Sequence, residues 1–341
     1  MPDRTARIDR FIRVAGWAGS AVTPLAGDAS NRRYLRLRKP GGDRAVLMDA
    51  PPGTGEDVRP FLRVARHLAA LGFSPPRILA EEADAGLLLL EDLGDALFAR
   101  VLEEHPAQEP ALYAAATDLL ASLHAHPPPR DLPAYDPSLM TRLAGLAFDW
   151  YAAGIAGSGT DEEKQALTGV LEPLLAQHTN HAQVLVQRDY HAENLIWLPD
   201  RAGAARVGLL DFQDAMAGPP GYDLVSLLQD ARRDVSPATE QAMLARYIAV
   251  TGRDDAAFRA AYHLLGAQRN LRILGVFARL CLRDGKPHYI DLIPRVWALL
   301  QRDLDHPRLA PLRAPLARAL PQPTSENLTR LKEKCASLPA L

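Results

Sequence analysis

Three oxygen-bearing side chains in this 341-residue chain have types and spacing that could carry out chemistry. Asp189 and Asn194 lie five positions apart between two apolar runs, and a third apolar run, residues 207–210, is followed by Asp211-Phe212. This order of residues is the polar set of kinase-type phosphoryl transfer. The reaction needs a carboxylate to accept the proton of the attacking hydroxyl, and an amide and a second carboxylate to hold Mg²⁺. We therefore predict Asp189 as the base, with Asn194 and Asp211 as metal ligands.

A simpler explanation exists for each residue taken alone, because Asp and Asn are common in the turns that follow strands. The ordered combination of loop, short strands and Asp-Phe arises by chance far less often, so it favours the catalytic interpretation.

Composition and charge exclude several classes of protein. Hydrophobic residues make up 48% and charged residues 23%, as in ordinary globular proteins. The net charge of −2 gives no electrostatic reason to expect nucleic acid or an acidic membrane surface as a partner. The two cysteines, Cys281 and Cys335, are too few for a disulfide framework and lack metal-site spacing. No secretory signal and no run of about 18 apolar residues is visible, so we expect a cytoplasmic protein. We also expect a monomer.

The pattern of apolar residues predicts a small α+β lobe followed by a larger, mainly helical one. The first lobe combines an amphipathic helix at 4–17, a second helix at 60–71 and five antiparallel strands at 22–25, 33–37, 45–48, 77–80 and 87–90. Residues 256–282 and 289–304 are predicted to form long helices of the second lobe. We expect an N-terminal lobe at 1–93, a C-terminal lobe at 94–304 and a loosely ordered tail, rich in Pro and Arg, at 305–341.

The order of these parts resembles the aminoglycoside phosphotransferase and choline kinase group, which has the two-lobed protein kinase-like fold. Within it, the chain is most similar to the anomeric kinases that phosphorylate N-acetylmuramate and N-acetylglucosamine at C1 in bacterial cell-wall recycling. The segments that carry the resemblance are 27–34, 48–52, 90–94, 187–191, 211–214 and 268–271.

The resemblance implies a nucleotide, ATP with Mg²⁺, bound between the lobes. The turn formed by Asp28, Ala29, Ser30 and Asn31 would cover the ATP phosphates with its backbone N–H groups. Glu91 and Leu93 would offer a backbone C=O and N–H to the adenine edge. Without the catalytic loop downstream, the first segment would be a simple hairpin turn and the second an ordinary strand-to-helix junction.

The chain departs from the kinase pattern at two positions. Gln187 stands where the kinase signature has His, and the third strand lacks the lysine that holds the α- and β-phosphates. Arg32 or Arg33 could supply the missing charge, because a guanidinium suits phosphate oxygens, although both could also be solvated at a strand edge. Glu56 and Asp57, which precede the helix at 60–71, are predicted to be exposed.

The acceptor is expected beside Asp189, and several side chains near it could bind a sugar. Each has an alternative role: His191 could orient the loop, Asp223 could cap the following helix, Trp150 could pack in the core, and Arg269 could be solvated. Arg269 would otherwise meet the lactate carboxylate of N-acetylmuramate. The candidate substrate residues are His191, Glu193, Asp214, Asp223, Trp150 and Arg269.

The leading hypothesis is an ATP-dependent sugar 1-kinase of peptidoglycan recycling. The first alternative is an aminoglycoside or other small-alcohol phosphotransferase on the same scaffold. The second is a nucleotide-binding pseudokinase that acts as a regulator, suggested by Gln187 and the absent lysine. It is disfavoured because a protein without catalysis has no chemical need for Asp189, Asn194 and Asp211 together.

Overall fold

The computed structural model describes residues 4–25, 32–157, 160–179 and 183–337. Contacts divide the chain into two units, the first made of Met1–Leu119 with Gln187–Ala215, and the second of Leu120–Val186 with Met216–Leu341. This division differs from the boundary predicted near residue 93. The difference arises because the segment after residue 93 begins within the first unit and because the chain returns to that unit at residue 187.

The described residues contain nine strands and thirteen α-helices. The strands are β1 (Ala21–Leu25), β2 (Arg33–Arg38), β3 (Arg44–Asp49), β4 (Ile78–Glu82), β5 (Leu87–Glu91), β6 (Val184–Val186), β7 (Leu195–Trp197), β8 (Val207–Leu209) and β9 (Met216–Gly218). The helices are α1 (Arg4–Val14), α2 (Arg59–Ala70), α3 (Phe98–Glu104), α4 (Glu109–Leu123), α5 (Pro137–Ala144), α6 (Ala153–Ala156), α7 (Asp161–Thr179), α8 (Tyr222–Leu228), α9 (Pro237–Thr251), α10 (Asp255–Leu282), α11 (Ile293–Leu304), α12 (Ala310–Ala319) and α13 (Ser325–Glu333). No described helix combines the length and the apolar character that a membrane span requires.

The first unit is built on a five-stranded sheet in the order β1-β2-β3-β5-β4, and every neighbouring pair is antiparallel. All five strands lie within two residues of their predicted positions. The prediction succeeds because alternating apolar residues and the turns between them mark each strand separately. The predicted fold class, with an antiparallel-sheet region and a mainly helical region, is confirmed.

Helix α1 covers one face of this sheet. Ile8, Phe11 and Ile12 are buried against a cluster from the strands that includes Leu37 and Leu47. Successive side chains of a strand point to opposite faces, so the residues that alternate with this set point away from α1. Tyr34, Met48 and Leu88, which lie opposite one another in register, belong to that other face.

Asp49, the last residue of β3, lies on the α1 face and is completely buried. Its Oδ1 accepts a hydrogen bond from Arg4 Nε at 3.0 Å, and its Oδ2 accepts one from Arg33 Nε at 3.0 Å. A buried charge needs such partners, because removing one of them leaves an uncompensated ion in the interior. Asp49 therefore fixes the start of α1 and the start of β2 to the same strand.

The hairpin β7–β8 also packs within the first unit. The Leu209 N–H donates to the Ser74 backbone O at 3.0 Å, and Leu97 forms a bridge with Ile196. Helix α2 contributes Phe61, whose ring stacks on Phe212 with the centroids 4.9 Å apart. These contacts fix the residues that follow β8 against α2.

The second unit is mainly helical. The long helix α10 packs against α5, α11 and a π-helical turn at Ala147–Ala152. Among the described residues of this unit, the only sheet is the short antiparallel pair β6–β9. The predicted helices at 256–282 and 289–304 correspond to α10 and to a 3₁₀ turn at Pro287–Leu292 continued by α11.

The segment after Asp305 differs from the predicted loose tail. It forms α12 and α13, and Leu312, Leu316 and Leu331 are buried. The Ala336 N–H donates to the Cys281 backbone O at 3.0 Å, which ties the segment to the end of α10. The prediction gave weight to the frequent Pro and Arg residues, whereas the leucines at helical spacing decide the structure.

Candidate active site

The hairpin β7–β8 sets the position of Asn194 relative to Asp211. Leu195 pairs with Leu209, so Asn194 and Leu210 lie opposite each other at the open end of the hairpin. The Leu210 N–H donates to the Asn194 backbone O at 3.0 Å. Asp211 follows directly, and its Oδ2 lies 3.5 Å from Asn194 Nδ2. The hairpin register therefore brings the two predicted metal ligands side by side.

Asp189 joins this pair through the loop before β7. Asn194 Nδ2 donates to the Asp189 backbone O at 2.9 Å, and the charge of Asp189 is close enough to Asp211 to contribute to raising the Asp211 pKa. All three residues belong to the first unit. The structure thus brings together the three residues that the sequence singled out.

Two residues of this site have the left-handed backbone conformation although neither is glycine. Arg188, next to Asp189, has φ 75°, and Asp211 has φ 57°. Such conformations cost free energy, and they persist where the surrounding structure imposes them, commonly at functional sites. At these two positions the backbone turns sharply beside the polar side chains.

Asp211 has a pKa raised above its usual value. Burial of the carboxylate by surrounding atoms is the main cause, although part of the residue remains exposed, and the charges of Asp189 and Asp214 add to it. Gln213 Nε2, which donates to Asp211 Oδ1 at 2.7 Å, and the charge of Arg32 act in the opposite direction. Several carboxylates close together favour a bound cation, because each disfavours ionisation of the others.

The donor atoms here suit Mg²⁺. Among the residues that the structure describes, no group of three or more His, Cys, Asp or Glu side chains is arranged to hold a metal. Mg²⁺ does not require such a cage, because it is commonly held by one or two side-chain oxygens together with water and phosphate oxygens. Asn194 uses its Nδ2 for the Asp189 carbonyl, which leaves its Oδ1 as the side-chain atom that can coordinate a cation.

The remaining loop residues support this arrangement. Tyr190 is buried and its hydroxyl donates to the Ala116 backbone O at 2.9 Å. His191 is also buried, with Nε2 3.4 Å from Asn194 Nδ2 and its backbone O accepting the Asn194 N–H at 2.8 Å. Gln187, at the usual His position, is buried at the start of the loop, whereas Glu193 is exposed. Of the two predicted substrate residues in the loop, only Glu193 is therefore open to solvent.

The predicted phosphate turn, Asp28, Ala29, Ser30 and Asn31, lies outside the described residues. Of the two arginines beside it, Arg33 pairs with Asp49 on the α1 face. Arg32 instead pairs with Glu56, with Nε 2.7 Å from Oε2, and its charge acts on Asp211. The prediction that Glu56 is exposed is wrong, since only 13% of its side-chain surface is accessible, whereas Asp57 is exposed as predicted. We therefore keep Arg32 and not Arg33 among the proposed nucleotide residues.

The predicted adenine-binding segment follows β5. The Glu91 side chain is held by Arg77 and Arg201, and its backbone N–H donates to the Arg77 O at 2.8 Å. The backbone N–H of Leu93 has no acceptor among residues 4–25, 32–157, 160–179 and 183–337. A free donor at this place fits the predicted role of Leu93, which stays a prediction.

Three predicted substrate residues belong to the second unit, whereas Asp189, Asn194 and Asp211 belong to the first. Asp223 is completely buried in the first turn of α8, and Trp150 lies half-buried in the π-helical turn. Arg269 is buried, and its guanidinium donates to the Gln229 backbone O at 3.1 Å and to Ser226 Oγ at 2.9 Å. These bonds hold the end of α8, so we do not retain Arg269 as a residue that meets the substrate.

The chain is similar to known phosphotransferases in both sequence and structure. Residues 21–262 match the model of the phosphotransferase enzyme family. The chain is 40% identical to the N-acetylmuramate/N-acetylglucosamine kinase of Caulobacter vibrioides, covering 94% of this chain and 98% of the relative. It is 38% identical to the protein of the same name from Pseudomonas aeruginosa, covering 90% and 91%.

Solved structures with the same fold are more distant in sequence. Choline kinase LicA from Streptococcus pneumoniae has a TM-score of 0.59 at 12% identity, covering 88% of this chain and all of that one. The ADP-bound aminoglycoside phosphotransferase APH(2'')-Ib has a TM-score of 0.60 at 12% identity, covering 88% and 97%. These similarities confirm the predicted protein kinase-like fold. The match to the family model over residues 21–262 shows that the chain belongs to the phosphotransferase enzyme family.

Proposed function

We propose that this chain is an ATP-dependent kinase that phosphorylates N-acetylmuramate and N-acetylglucosamine at the anomeric hydroxyl, giving the 1-phosphates used in peptidoglycan recycling. The observation that carries the proposal is the convergence of Asp189, Asn194 and Asp211 at the end of one hairpin. The choice of acceptor is supported by relatives named N-acetylmuramate/N-acetylglucosamine kinase, which are 34–40% identical over most of the chain.

Each residue of the convergent set has one role in this proposal. The Asp189 carboxylate orients the anomeric hydroxyl and accepts its proton as the oxygen attacks the γ-phosphorus of ATP, whose bond to the β–γ bridging oxygen breaks to release ADP. Asn194 and Asp211 would hold Mg²⁺, which would supply neutralisation of charge on the phosphate oxygens. Because Asn194 is bonded to the Asp189 backbone and lies beside Asp211, it links the proposed base to both proposed metal ligands.

The nucleotide and the acceptor would be held by residues around this set. We propose that Arg32 contacts phosphate oxygens and that the backbone groups of Glu91 and Leu93 contact the base of the nucleotide. On the acceptor side, Glu193 lies in the loop between Asp189 and Asn194, and Asp214 lies three residues after Asp211. Both carboxylates are exposed, and either could accept hydrogen bonds from sugar hydroxyls.

A screen for ADP release tests this proposal. The purified chain is incubated with ATP, Mg²⁺ and, separately, N-acetylmuramate, N-acetylglucosamine, kanamycin, choline and homoserine, with a reaction lacking acceptor as the control. We expect turnover only with the two amino sugars, and phosphorus NMR should show a phosphate coupled to the anomeric proton.

The other outcomes have clear meanings. Turnover with kanamycin, choline or homoserine instead of the sugars would assign the chain to another acceptor. A phosphate on a different sugar hydroxyl would refute the anomeric assignment. Tight ATP binding without turnover on any acceptor would support a regulatory nucleotide-binding protein.

A further inference from the structure

The third strand of the sheet contains no lysine, and its one basic residue, Arg44 at its first position, pairs with Asp92, with Nε 3.8 Å from Oδ2. Protein kinases place a lysine there, which holds the α- and β-phosphates and pairs with a glutamate of the following helix. In this chain β3 ends in Asp49, which lies on the α1 face and is bonded to Arg4 and Arg33. The positive charge for the phosphates must therefore come from another element.

An ion pair of the required kind lies at the start of β2. Arg32 Nε donates to Glu56 Oε2 at 2.7 Å, and the side chains expose only 12% and 13% of their surfaces. The Arg32 guanidinium also interacts with the hydroxyl of Tyr34, which lies on the sheet face opposite α1. A guanidinium has five N–H donors in a planar fork, so it can keep both partners and still bind phosphate oxygens.

This ion pair lies close to the predicted metal site. The charges of Arg32 and Asp211 interact, and Tyr34 interacts with Asp211 as well. Glu56 lies three residues before α2, and the Phe61 ring of that helix stacks on Phe212, the neighbour of Asp211. Glu56 and Asp211 are thus fixed relative to each other through one packed helix.

We propose that Glu56 and Tyr34 are positioning residues that hold the Arg32 guanidinium beside Asp211 for the phosphates of the nucleotide, as a substitute for the lysine–glutamate pair of protein kinases. The inference rests on the proposed use of ATP but not on the identity of the acceptor. It assigns to Glu56 and Tyr34 a function that sequence motifs do not reveal, because the pair joins residues 24 positions apart.

Binding of ADP compared with adenosine tests the inference, because both ligands share the base and the sugar but only ADP has phosphates. Dissociation constants are measured by calorimetry with Mg²⁺ and without any acceptor. For Arg32→Gln we expect ADP binding to weaken about 10- to 100-fold, as for a lost set of charge-assisted hydrogen bonds, with adenosine binding unchanged. Glu56→Gln and Tyr34→Phe should weaken ADP binding about 3- to 10-fold with the same selectivity. Arg32→Lys should retain part of the affinity.

The matched controls are Arg66→Gln and Glu81→Gln, which break another Arg–Glu pair of the same unit. They should leave both dissociation constants unchanged. Equal losses for ADP and adenosine in the Arg32 and Glu56 variants, or no loss for ADP, would overturn the inference and leave the pair a purely structural role. If Arg32→Gln does not fold, the inference is tested by the dissociation constants of Tyr34→Phe and the wild type for ADP and adenosine. Absence of ADP binding by the wild-type chain would instead refute the proposed function itself.

Discussion

Replacing Asp189 by Asn removes the proposed base while preserving the loop around it. The hydrogen bond from Asn194 Nδ2 goes to the backbone O of Asp189, at 2.9 Å, and not to its side chain. The substitution is isosteric, so this bond and the hairpin register that positions Asp211 should persist. We therefore expect the variant to fold, to bind ATP and to fail at the chemical step.

The size of the expected loss of turnover in Asp189→Asn follows from the role of Asp189 as a general base. Loss of a general base lowers turnover by about 10²- to 10⁴-fold, which corresponds to roughly 3–5 kcal/mol in activation free energy. The assay is ADP release with saturating N-acetylmuramate, together with the dissociation constant for ATP and the thermal midpoint of unfolding. The expected result is a fall in kcat with an ATP affinity within about threefold of wild type, since the nucleotide contacts are unchanged.

A control separates the role of Asp189 from a general effect of removing negative charge. Asp200 is an exposed aspartate in the turn of the same hairpin, so Asp200→Asn should retain wild-type turnover. The reasoning is refuted if Asp189→Asn retains a kcat near that of the wild type with the same sugar. A large loss of unfolding free energy in this variant would also contradict it, because that result would make Asp189 structural.

Two further predictions concern the metal and pH. Asn194→Ala and Asp211→Ala should each raise the Mg²⁺ concentration for half-maximal turnover at least tenfold; an unchanged requirement would exclude them as ligands. His124, whose Nδ1 lies 2.7 Å from the Tyr247 hydroxyl, has its pKa lowered to about 3, chiefly by burial. The unfolded state binds more protons below the ordinary pKa of about 6.5, so stability should fall as pH decreases, by roughly 2 kcal/mol at pH 5 from this group. In urea titrations at pH 7 and pH 5, the unfolding free energy of His124→Gln should fall by about 2 kcal/mol less than that of the wild type. Equal falls in the two proteins would show that His124 does not cause this pH dependence.

The sequence was sufficient to predict what depends on local patterns. The five strands of the first unit and helices α1, α2 and α10 have clear periodicity and turn residues, and Asp189, Asn194 and Asp211 belong to short segments with a defined order. Their convergence could also be expected, because one short hairpin lies between Asn194 and Asp211.

Interactions between distant segments could not be predicted. The Arg32–Glu56 pair and the bonds of Arg269 to α8 depend on tertiary packing, which gives no local signal. For this reason the sequence predicts solvated acidic residues before α2, and only the fold shows that Glu56 has a cationic partner. The position of Glu56 just ahead of a helix was the one available clue, since kinases pair a glutamate of this region with a cation.

The contacts of Asp49 imply that the first helix cannot be deleted without loss of stability. Deleting residues up to Val14 would expose the apolar face of the sheet around Leu37. It would also remove Arg4, one of the two arginines that neutralise the buried Asp49 carboxylate. The first helix is therefore an integral part of the sheet's packing, and its removal would weaken the scaffold on whose opposite side Tyr34 lies.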